Sequence, residues 1–283
     1  SFSPMGWQQV KAGGFLAYLT MDSALQKPEI LAEMKEQIRK HFDYLLNKAT
    51  DKYGIGVHLP AYNDFFWGSN GAVAQIAFDF IAYAPYVARN NAEKDLYIAA
   101  AYHNLNYLYG LNIHNLCFVT GLGKNYPVNI HHRPTLSDNI PGPVPGLLVG
   151  GPNNDREDEE VRRLTTTSTP HARIYLDNRQ SYSTNEVTIY WNAPLLAATA
   201  YFTKPVAYTF TPTKTKKVKY PPVIEAGIKL TAPEIEPEYV KLEWNAPAYK
   251  IKGYYIYRDG LSLGFVTDNF ITDKSVIRGQ KYN

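Results

Sequence analysis

Along the first two thirds of the chain, apolar residues recur every three or four positions, a spacing that predicts amphipathic helices. Residues 28–46 follow this spacing, and Pro28 suits the first turn of such a helix. Residues 71–88 are apolar on nearly every face, so we expect neighbouring helices to enclose them. Two further helices are predicted over residues 95–109, ended by Gly110, and from about residues 192–194 to Phe202.

From residue 204 the pattern changes to the alternation of apolar and polar residues that is typical of short strands. Val240, Leu242 and Trp244 alternate with charged residues, and Asp259-Gly260 is a hairpin signal. Residues 211–222 are rich in Lys, Thr and Pro, which indicates a linker or an irregular edge strand. We therefore predict a mainly α-helical part over residues 1–204, a linker over 205–222 and a small all-β sandwich over 223–283.

Between the predicted helices, residues 111–190 form a long stretch dense in Gly, Pro, Asn and His. A stretch of this length is too long for a passive connection, and long loops in compact domains usually carry function. Its candidate residues fall into three clusters, at residues 119–134, 149–153 and 175–194. Trp67, at the start of the buried helix, could face the same region.

The composition excludes several classes of function. Lys and Arg number 29 against 26 Asp and Glu, and a net charge of +3 is too weak to indicate a nucleic-acid or membrane-surface binder. No apolar run reaches the length of about 18 residues that a membrane-spanning helix needs. Cys117 is the single cysteine, which excludes an internal disulfide and a cysteine-based zinc cage.

The polar and aromatic residues of the long stretch suit carbohydrate chemistry. Arg, His, Asn and Asp can hydrogen-bond sugar hydroxyls, while Trp and Tyr can cover the C–H faces of the rings. Cleavage of a glycosidic bond also needs a carboxylic acid to protonate the leaving oxygen and a carboxylate on the other side. Glu186 follows Tyr182 and precedes Trp191, so we expect it to be partly desolvated.

Each of these residues also has a plainer interpretation. Taken alone, Asp177 and Glu186 could be solvated surface carboxylates. His131 and His132 could be a metal pair, but adjacent His side chains diverge on an extended segment and no further ligands lie at metal spacing. The charged run Asp155–Arg163 is interpreted as a solvated insertion.

Two motifs in the long stretch nevertheless match a known family. The pattern Thr-x-x-Gly-x-Asn followed by His-x-Arg is matched by Thr120, Gly123, Asn125, His131 and Arg133. A second pattern of aromatic, Asp, aromatic, Glu and Asn-Ala is matched by Tyr175, Asp177, Tyr182, Glu186, Asn192 and Ala193. With Phe66-Trp67-Gly68-Ser69 and Gly150-Gly151-Pro152-Asn153, these motifs make residues 1–203 resemble glycoside hydrolase family 9, the inverting cellulases.

The resemblance implies a partial (α/α)6 barrel over residues 1–204 and cleavage of β-1,4-glucosidic bonds in cellulose or related β-glucans. It implies that Glu186 is the general acid and that Asp177 and His131 are active-site residues. Substrate would be held by Arg133, Trp67, Trp191, His132 and Tyr182. No cofactor is implied; calcium is common in the family, but the chain offers no recognisable ligand cluster. The resemblance also implies secretion, because polymeric glucan lies outside the cell.

One departure from the family concerns the general base, an Asp in an Asp-Ala-Gly-Asp-like segment that this sequence does not contain. Both ends of the chain look cut, and the few predicted helices cannot complete a twelve-helix barrel. We therefore interpret the chain as the C-terminal part of an endoglucanase-like enzyme. We expect the chain alone to be inactive and to aggregate through Phe78 and Ile81. The alternative is a non-catalytic carbohydrate-binding protein with an incomplete site.

Residues 223–283 resemble a truncated fibronectin type III or related immunoglobulin-like module. Trp244 lies on an early predicted strand, and residues 253–260 follow with the hairpin signal. We interpret this part as a spacer or docking module, since the sequence alone indicates no linear face of exposed aromatic residues.

Overall fold

The computed structural model describes residues 2–49, 57–60, 64–138, 140–203, 228–247, 251 and 253–282. The chain divides into two compact units, Ser1–Phe202 and Thr203–Asn283. The predicted linker over residues 205–222 lies outside the described residues. Within the described ranges, no helix is both long enough and apolar enough to cross a membrane.

The first unit is helical. Its α-helices are α1 (Lys11–Thr20), α2 (Pro28–Ala49), α3 (Ser69–Val87), α4 (Asn91–Leu108), α5 (Arg133–Ser137), α6 (Glu159–Leu164), α7 (Tyr182–Asn185) and α8 (Ile189–Phe202), with 3-10 turns at Ser23–Leu25 and His171–Arg173. The predicted helices over residues 28–46, 71–88 and 95–109 are confirmed as α2, α3 and α4. Helix α2 begins at Pro28, as predicted, and Gly110 follows α4 with a φ of 124°.

Helix α8 begins earlier than predicted. The sequence places its start near Pro194, because proline favours a first turn. The structure instead begins the helix at Ile189, so Pro194 lies inside it and is buried. Trp191, Leu195 and Ala198 are buried with it, and we infer that this packing compensates for the backbone hydrogen bond that proline cannot make.

Helix α3 occupies the centre of the first unit, packed between α4 and α8, as its apolar faces predict. The ring of Phe80 lies 4.6 Å from that of Phe42 in α2, and Asn104 of α4 donates a hydrogen bond to the carbonyl of Val73 (3.3 Å). This enclosure corrects the expected aggregation surface, because Ile81 is only 8% exposed and Phe78 is half-buried. The apolar side chains that α8 leaves exposed include Ile189, Leu196 and Tyr201.

The long stretch between α4 and α8 is held by short backbone pairings rather than by a regular sheet. Val119 pairs with Leu148, and Val149 pairs with Val187. Through these pairings the three candidate clusters lie near the N-terminal ends of α3 and α8. The backbone N–H of Asn70, in the first turn of α3, donates to the carbonyl of Gly150 (2.9 Å).

The described part of the second unit forms two antiparallel sheets. Its strands are β1 (Leu230–Glu236), β2 (Tyr239–Trp244), β3 (Tyr254–Arg258), β4 (Leu261–Val266) and β5 (Phe270–Asp273), paired in the orders β1-β2-β5 and β3-β4. The predicted hairpin is confirmed: Asp259 and Gly260 have φ angles of 47° and 85°, the positive values that a tight type I′ turn requires. A buried ion pair joins Arg258 of β3 to Asp273 of β5 (2.6 Å). The fibronectin-like sandwich stays a prediction.

Candidate active site

Glu186 lies where the three candidate clusters meet. It follows α7 directly, and its carbonyl accepts a hydrogen bond from the amide of Gly150 (2.8 Å). Beside it, the amide of His131 donates to the carbonyl of Asn185 (2.9 Å), so His131 and Glu186 form a parallel bridge. The backbone therefore brings one residue of the first motif next to the acidic residue of the second.

The side chain of Glu186 is half-buried, and one of its two carboxylate oxygens accepts a hydrogen bond. The indole Nε1 of Trp67 donates a hydrogen bond to Oε2 of Glu186 (3.1 Å). Among the described residues, Oε1 has no hydrogen-bond partner, so one oxygen is fixed and the other is available. Burial raises the pKa of the nearby Tyr190 phenol, hydrogen bonds with Trp191 and Thr188 oppose the shift, and the carboxylate of Glu186 adds to it.

Aromatic rings line this carboxylate. The ring of Tyr182 lies 5.2 Å from that of Trp67 and 6.2 Å from that of His131. Trp67 is 39% exposed, so part of its indole remains open to a ligand. An exposed aromatic surface beside a half-buried carboxyl is an arrangement that can bind a sugar ring and donate a proton to its leaving oxygen.

The carboxylate of Asp177 connects two backbone segments. Its Oδ2 accepts the amide of Val128 (2.9 Å), and its Oδ1 accepts the amide of Asn129 (2.8 Å). Nδ2 of Asn185 also donates to Oδ1 (3.2 Å). Both oxygens are thus occupied by donors, and the side chain holds the segment before His131 against the turn before Glu186.

The first motif contributes three neighbouring polar residues. Nδ1 of His131 lies 2.7 Å from the carbonyl oxygen of Arg179, so this nitrogen carries the proton. His132 lies just before α5, with Nδ1 2.8 Å from the hydroxyl of Thr135. Arg133 begins α5 and is exposed, and within the described ranges it forms no ion pair with Asp177.

The structure corrects the role that the resemblance gives to Trp191. This indole is 3% exposed, which leaves no face for a sugar. A Cβ built at Gly71 would lie only 2.0 Å from Cδ1 of Trp191, and one built at Gly68 would lie 2.5 Å from Cζ2. Trp191 therefore packs directly against the backbone at the start of α3. Its contribution to the site is this packing rather than contact with a sugar.

The charged run Asp155–Arg163 is only partly the solvated insertion that the sequence predicts, because Asp155, Glu159 and Arg162 are exposed but Asp158 and Val161 are buried. Its second half enters α6, and Asp158 caps that helix by accepting the amide of Val161 (2.8 Å). The signal was present in the sequence: an Asp is followed by acidic residues in the first turn and by Arg162 and Arg163 in the last, as in a capped helix.

Another part of the long stretch contacts the residues that precede Trp67. Nδ1 of His171 lies 3.2 Å from Oδ1 of Asp64, which is buried and precedes Phe65. In the part of the chain that the structure describes, no group of three or more His, Cys, Asp or Glu side chains could hold a metal ion.

Comparisons with known proteins show which family the first unit matches. The family model for glycosyl hydrolase family 9 matches residues 1–199. A xyloglucan-specific endo-β-1,4-glucanase of Bacteroides ovatus is 34% identical over 201 residues, which are 69% of this chain and 32% of that protein. A cellodextrinase of Butyrivibrio fibrisolvens is 33% identical over 199 residues, which are 70% of this chain and 34% of that protein.

Solved structures give a consistent result. AaCel9A in complex with cellobiose-like isofagomine matches with a TM-score of 0.64 and 32% identity, over 70% of this chain and 36% of that one. A single mutant of a thermostable endoglucanase from Alicyclobacillus acidocaldarius matches with a TM-score of 0.62 and 31% identity, over the same shares of the two chains. The chain thus spans about a third of the length of these relatives.

Proposed function

Since this chain belongs to glycosyl hydrolase family 9, we propose that it supplies the acid side of an active site that hydrolyses β-1,4-glucosidic bonds in cellulose or a related β-glucan. Relatives described as endoglucanases and a cellodextrinase support this choice of substrate class. Because the chain spans about a third of their length, the activity is that of the enzyme to which these residues contribute. Such an enzyme works outside the cell, where polymeric glucan is found.

In this proposal Glu186 is the general acid. Trp67 holds Oε2 through its indole N–H, and the proton leaves from Oε1 to the oxygen that links two glucose units. The hydrogen bond from Trp67 to Glu186 is the observation that carries the proposal. It orients a half-buried carboxyl beside an exposed aromatic ring and leaves one of its oxygens without a partner among the described residues.

The general base is an Asp outside this sequence. An inverting enzyme needs a second carboxylate roughly 6.5–9.5 Å from the acid, with space for a water between them. Asp177 is poorly suited to that role, because its two oxygens already accept two backbone amides and one side-chain amide. Asp177 instead orders the active-site segments. The water attacks the anomeric carbon as Glu186 protonates the leaving oxygen, and the configuration is inverted.

Substrate hydroxyls are held by polar side chains of the first motif, of which Arg133 is exposed and His131 and His132 are half-buried. Arg133 and His132 lie at the start of α5, and His131 keeps Nε2 available as an acceptor, because Nδ1 faces a carbonyl. Trp67 and Tyr182 provide the aromatic surface for the sugar rings. Trp191 is excluded from this set by its burial.

The test is Glu186→Gln in an active polypeptide that contains this chain. General acid catalysis contributes about 10²–10⁴-fold, so kcat on cello-oligosaccharides should fall by that factor. A dinitrophenyl cellobioside, whose leaving group needs no protonation, should lose much less. The first anomer that the wild-type enzyme releases, followed by proton NMR, should be inverted. An unimpaired Glu186→Gln variant would contradict the proposal, and glucan binding by the wild type without any sugar release would support the carbohydrate-binding alternative.

A further inference from the structure

Asp158 is a buried carboxylate that the proposed reaction does not use. Its side chain is 1% exposed and is surrounded by donors. Oδ1 accepts the amide of Val161 (2.8 Å), at the start of α6. Oδ2 accepts the hydroxyl of Ser181 (2.9 Å) and both the amide (3.0 Å) and the hydroxyl (2.6 Å) of Ser183. One side chain thus joins α6 to the start of α7.

Helix α7 connects this carboxylate to Glu186 within a few residues. The amide of Glu186 donates to the carbonyl of Tyr182 (3.2 Å), so Glu186 ends the turn that Ser181 and Ser183 begin. The ring of Tyr182 packs against Trp67, the residue that holds Oε2 of Glu186. A displacement of the turn would move both Glu186 and the ring beside its hydrogen-bond donor.

Other contacts tie the same turn to the charged segment. The hydroxyl of Tyr182 donates to the carbonyl of Glu157 (3.3 Å). Nδ2 of Asn153 donates both to the carbonyl of Ser183 (3.1 Å) and to the carboxylate of Glu157 (2.5 Å). The segment before α6 therefore supports the turn at several points, and both Asn153 and Asp158 are buried.

We propose that Asp158 is a positioning residue for Glu186, which it holds through the hydrogen bonds from Ser181 and Ser183. The inference rests on the proposed role of Glu186 as the acid. Among the described residues, Asp158 forms hydrogen bonds with Val161, Ser181 and Ser183 and none with Glu186. It acts by fixing the turn on which Glu186 and Tyr182 are carried.

The chemistry of the site requires a carboxylate rather than an amide of the same shape. Each oxygen of Asp158 accepts a backbone N–H, that of Val161 on one side and that of Ser183 on the other. An ionised carboxyl offers two acceptors, whereas an amide offers one acceptor and one donor. In either orientation of an Asn side chain, its NH2 group would face a backbone N–H that cannot reverse its direction. Serine hydroxyls can rotate, so they do not remove this conflict.

The first experiment measures the geometry in this chain without requiring activity. In a ¹⁵N-labelled sample, the indole N–H resonance of Trp67, assigned with Trp67→Phe, should shift with pH, and Glu186→Gln should abolish the shift. In Asp158→Asn, this response should fall to half or less. The matched control is Asp155→Asn, because Asp155 lies in the same segment but is exposed; its response should equal that of the wild type.

Ser183→Ala provides a milder variant in case Asp158→Asn does not fold. It removes one hydroxyl donor and keeps the backbone hydrogen bond to Asp158, so the response should fall by a smaller amount. An indole resonance and pH response that are unchanged in folded Asp158→Asn, or in folded Ser183→Ala if the former does not fold, would overturn the proposal.

The second experiment uses the active polypeptide. A displacement of about 1 Å can cost up to about 100-fold in rate, so Asp158→Asn should lower kcat by about 10- to 100-fold. KM should change less than kcat, because the residues proposed to hold hydroxyls lie on other segments and Tyr182 is the one sugar-binding residue proposed on the displaced turn. Loss of activity in Glu186→Gln with full activity in Asp158→Asn would refute the positioning role alone. Full activity in Glu186→Gln would refute the proposed function, while the NMR response would still report the geometry.

Discussion

Replacement of Gly71 by alanine should destabilise the first unit, because the added methyl group overlaps the indole of Trp191. The new Cβ would lie 2.0 Å from Cδ1 and 2.4 Å from Cγ of that ring. Carbon atoms in contact lie about 3.5–4.0 Å apart, so the ring would have to retreat by about 1.5–2 Å. On its opposite edge, Cη2 and Cζ3 of Trp191 approach the backbone at Gly150, which limits this movement.

The size of the effect follows from two opposing contributions. An overlap of this kind in a packed core costs about 1–3 kcal/mol, and the short distance together with the blocked retreat indicates a value near about 3 kcal/mol. Alanine is a better helix former than glycine by up to about 1 kcal/mol, which offsets part of this cost. The net loss is therefore about 2 kcal/mol of unfolding free energy, or about 4–8 °C in Tm for a domain of this size.

The assay is urea and thermal unfolding, monitored by circular dichroism and by tryptophan fluorescence. Gly14→Ala is the matched control, since Gly14 also lies in a helix, α1, but a Cβ there meets no atom within 4 Å. It should raise the unfolding free energy by about 0.4–1 kcal/mol. Gly71→Ala is thus expected to lower the free energy of unfolding, and Gly14→Ala to raise it. A Gly71→Ala variant as stable as the wild type would refute the packing that we assign to Trp191.

Two further predictions concern a buried carboxyl and an exposed helix face. Burial raises the pKa of Asp79 from 3.8 to about 7, although a hydrogen bond from Gln75 opposes the shift. Between these values the folded state keeps a proton that the unfolded state has lost, so stability falls as the pH rises through this window. Asp79→Asn should therefore stabilise the protein more at about pH 8 than at about pH 4, and equal effects in urea unfolding would contradict this. On α8, Leu196 is 72% exposed, and Ile189 and Tyr201 are exposed as well, so Leu196→Lys should reduce self-association of the chain in sedimentation velocity. Leu122→Lys, at an exposed leucine of the long stretch, should not, and equal association of all three proteins would exclude Leu196 as part of the contact.

The secondary structure could be predicted where the residue pattern within one segment is enough to determine it. The spacing of apolar residues is a property of one segment, so it predicted α2, α3 and α4, and Asp259-Gly260 predicted its hairpin. Helix α1 contains Gly13 and Gly14 and was not predicted, because adjacent glycines weaken the helical signal. The start of α8 was misplaced because proline favours a first turn, whereas packing around Trp191 extends the helix before Pro194.

The sequence could select the candidate site residues, but it could not predict their contacts. The motifs selected Glu186, and the structure surrounds it with Trp67, Tyr182 and His131. They did not distinguish Trp67, which is partly exposed, from Trp191, which is enclosed. They also passed over Asp158, because a run of charged residues is normally solvated and nothing local shows that two serines more than twenty positions away will cover one of its members.

The sequence by itself thus determined the helical and β-rich parts of the chain and selected Glu186 as the candidate acid, a role that stays a prediction. The tertiary structure alone decided which neighbours that residue has. Trp67 donates to Glu186 across 119 positions of sequence, and Asp158 holds the turn beside it from another segment. The physical reason is one of range: periodicity and turn chemistry act over a few residues, whereas burial and hydrogen bonding depend on how distant segments pack together.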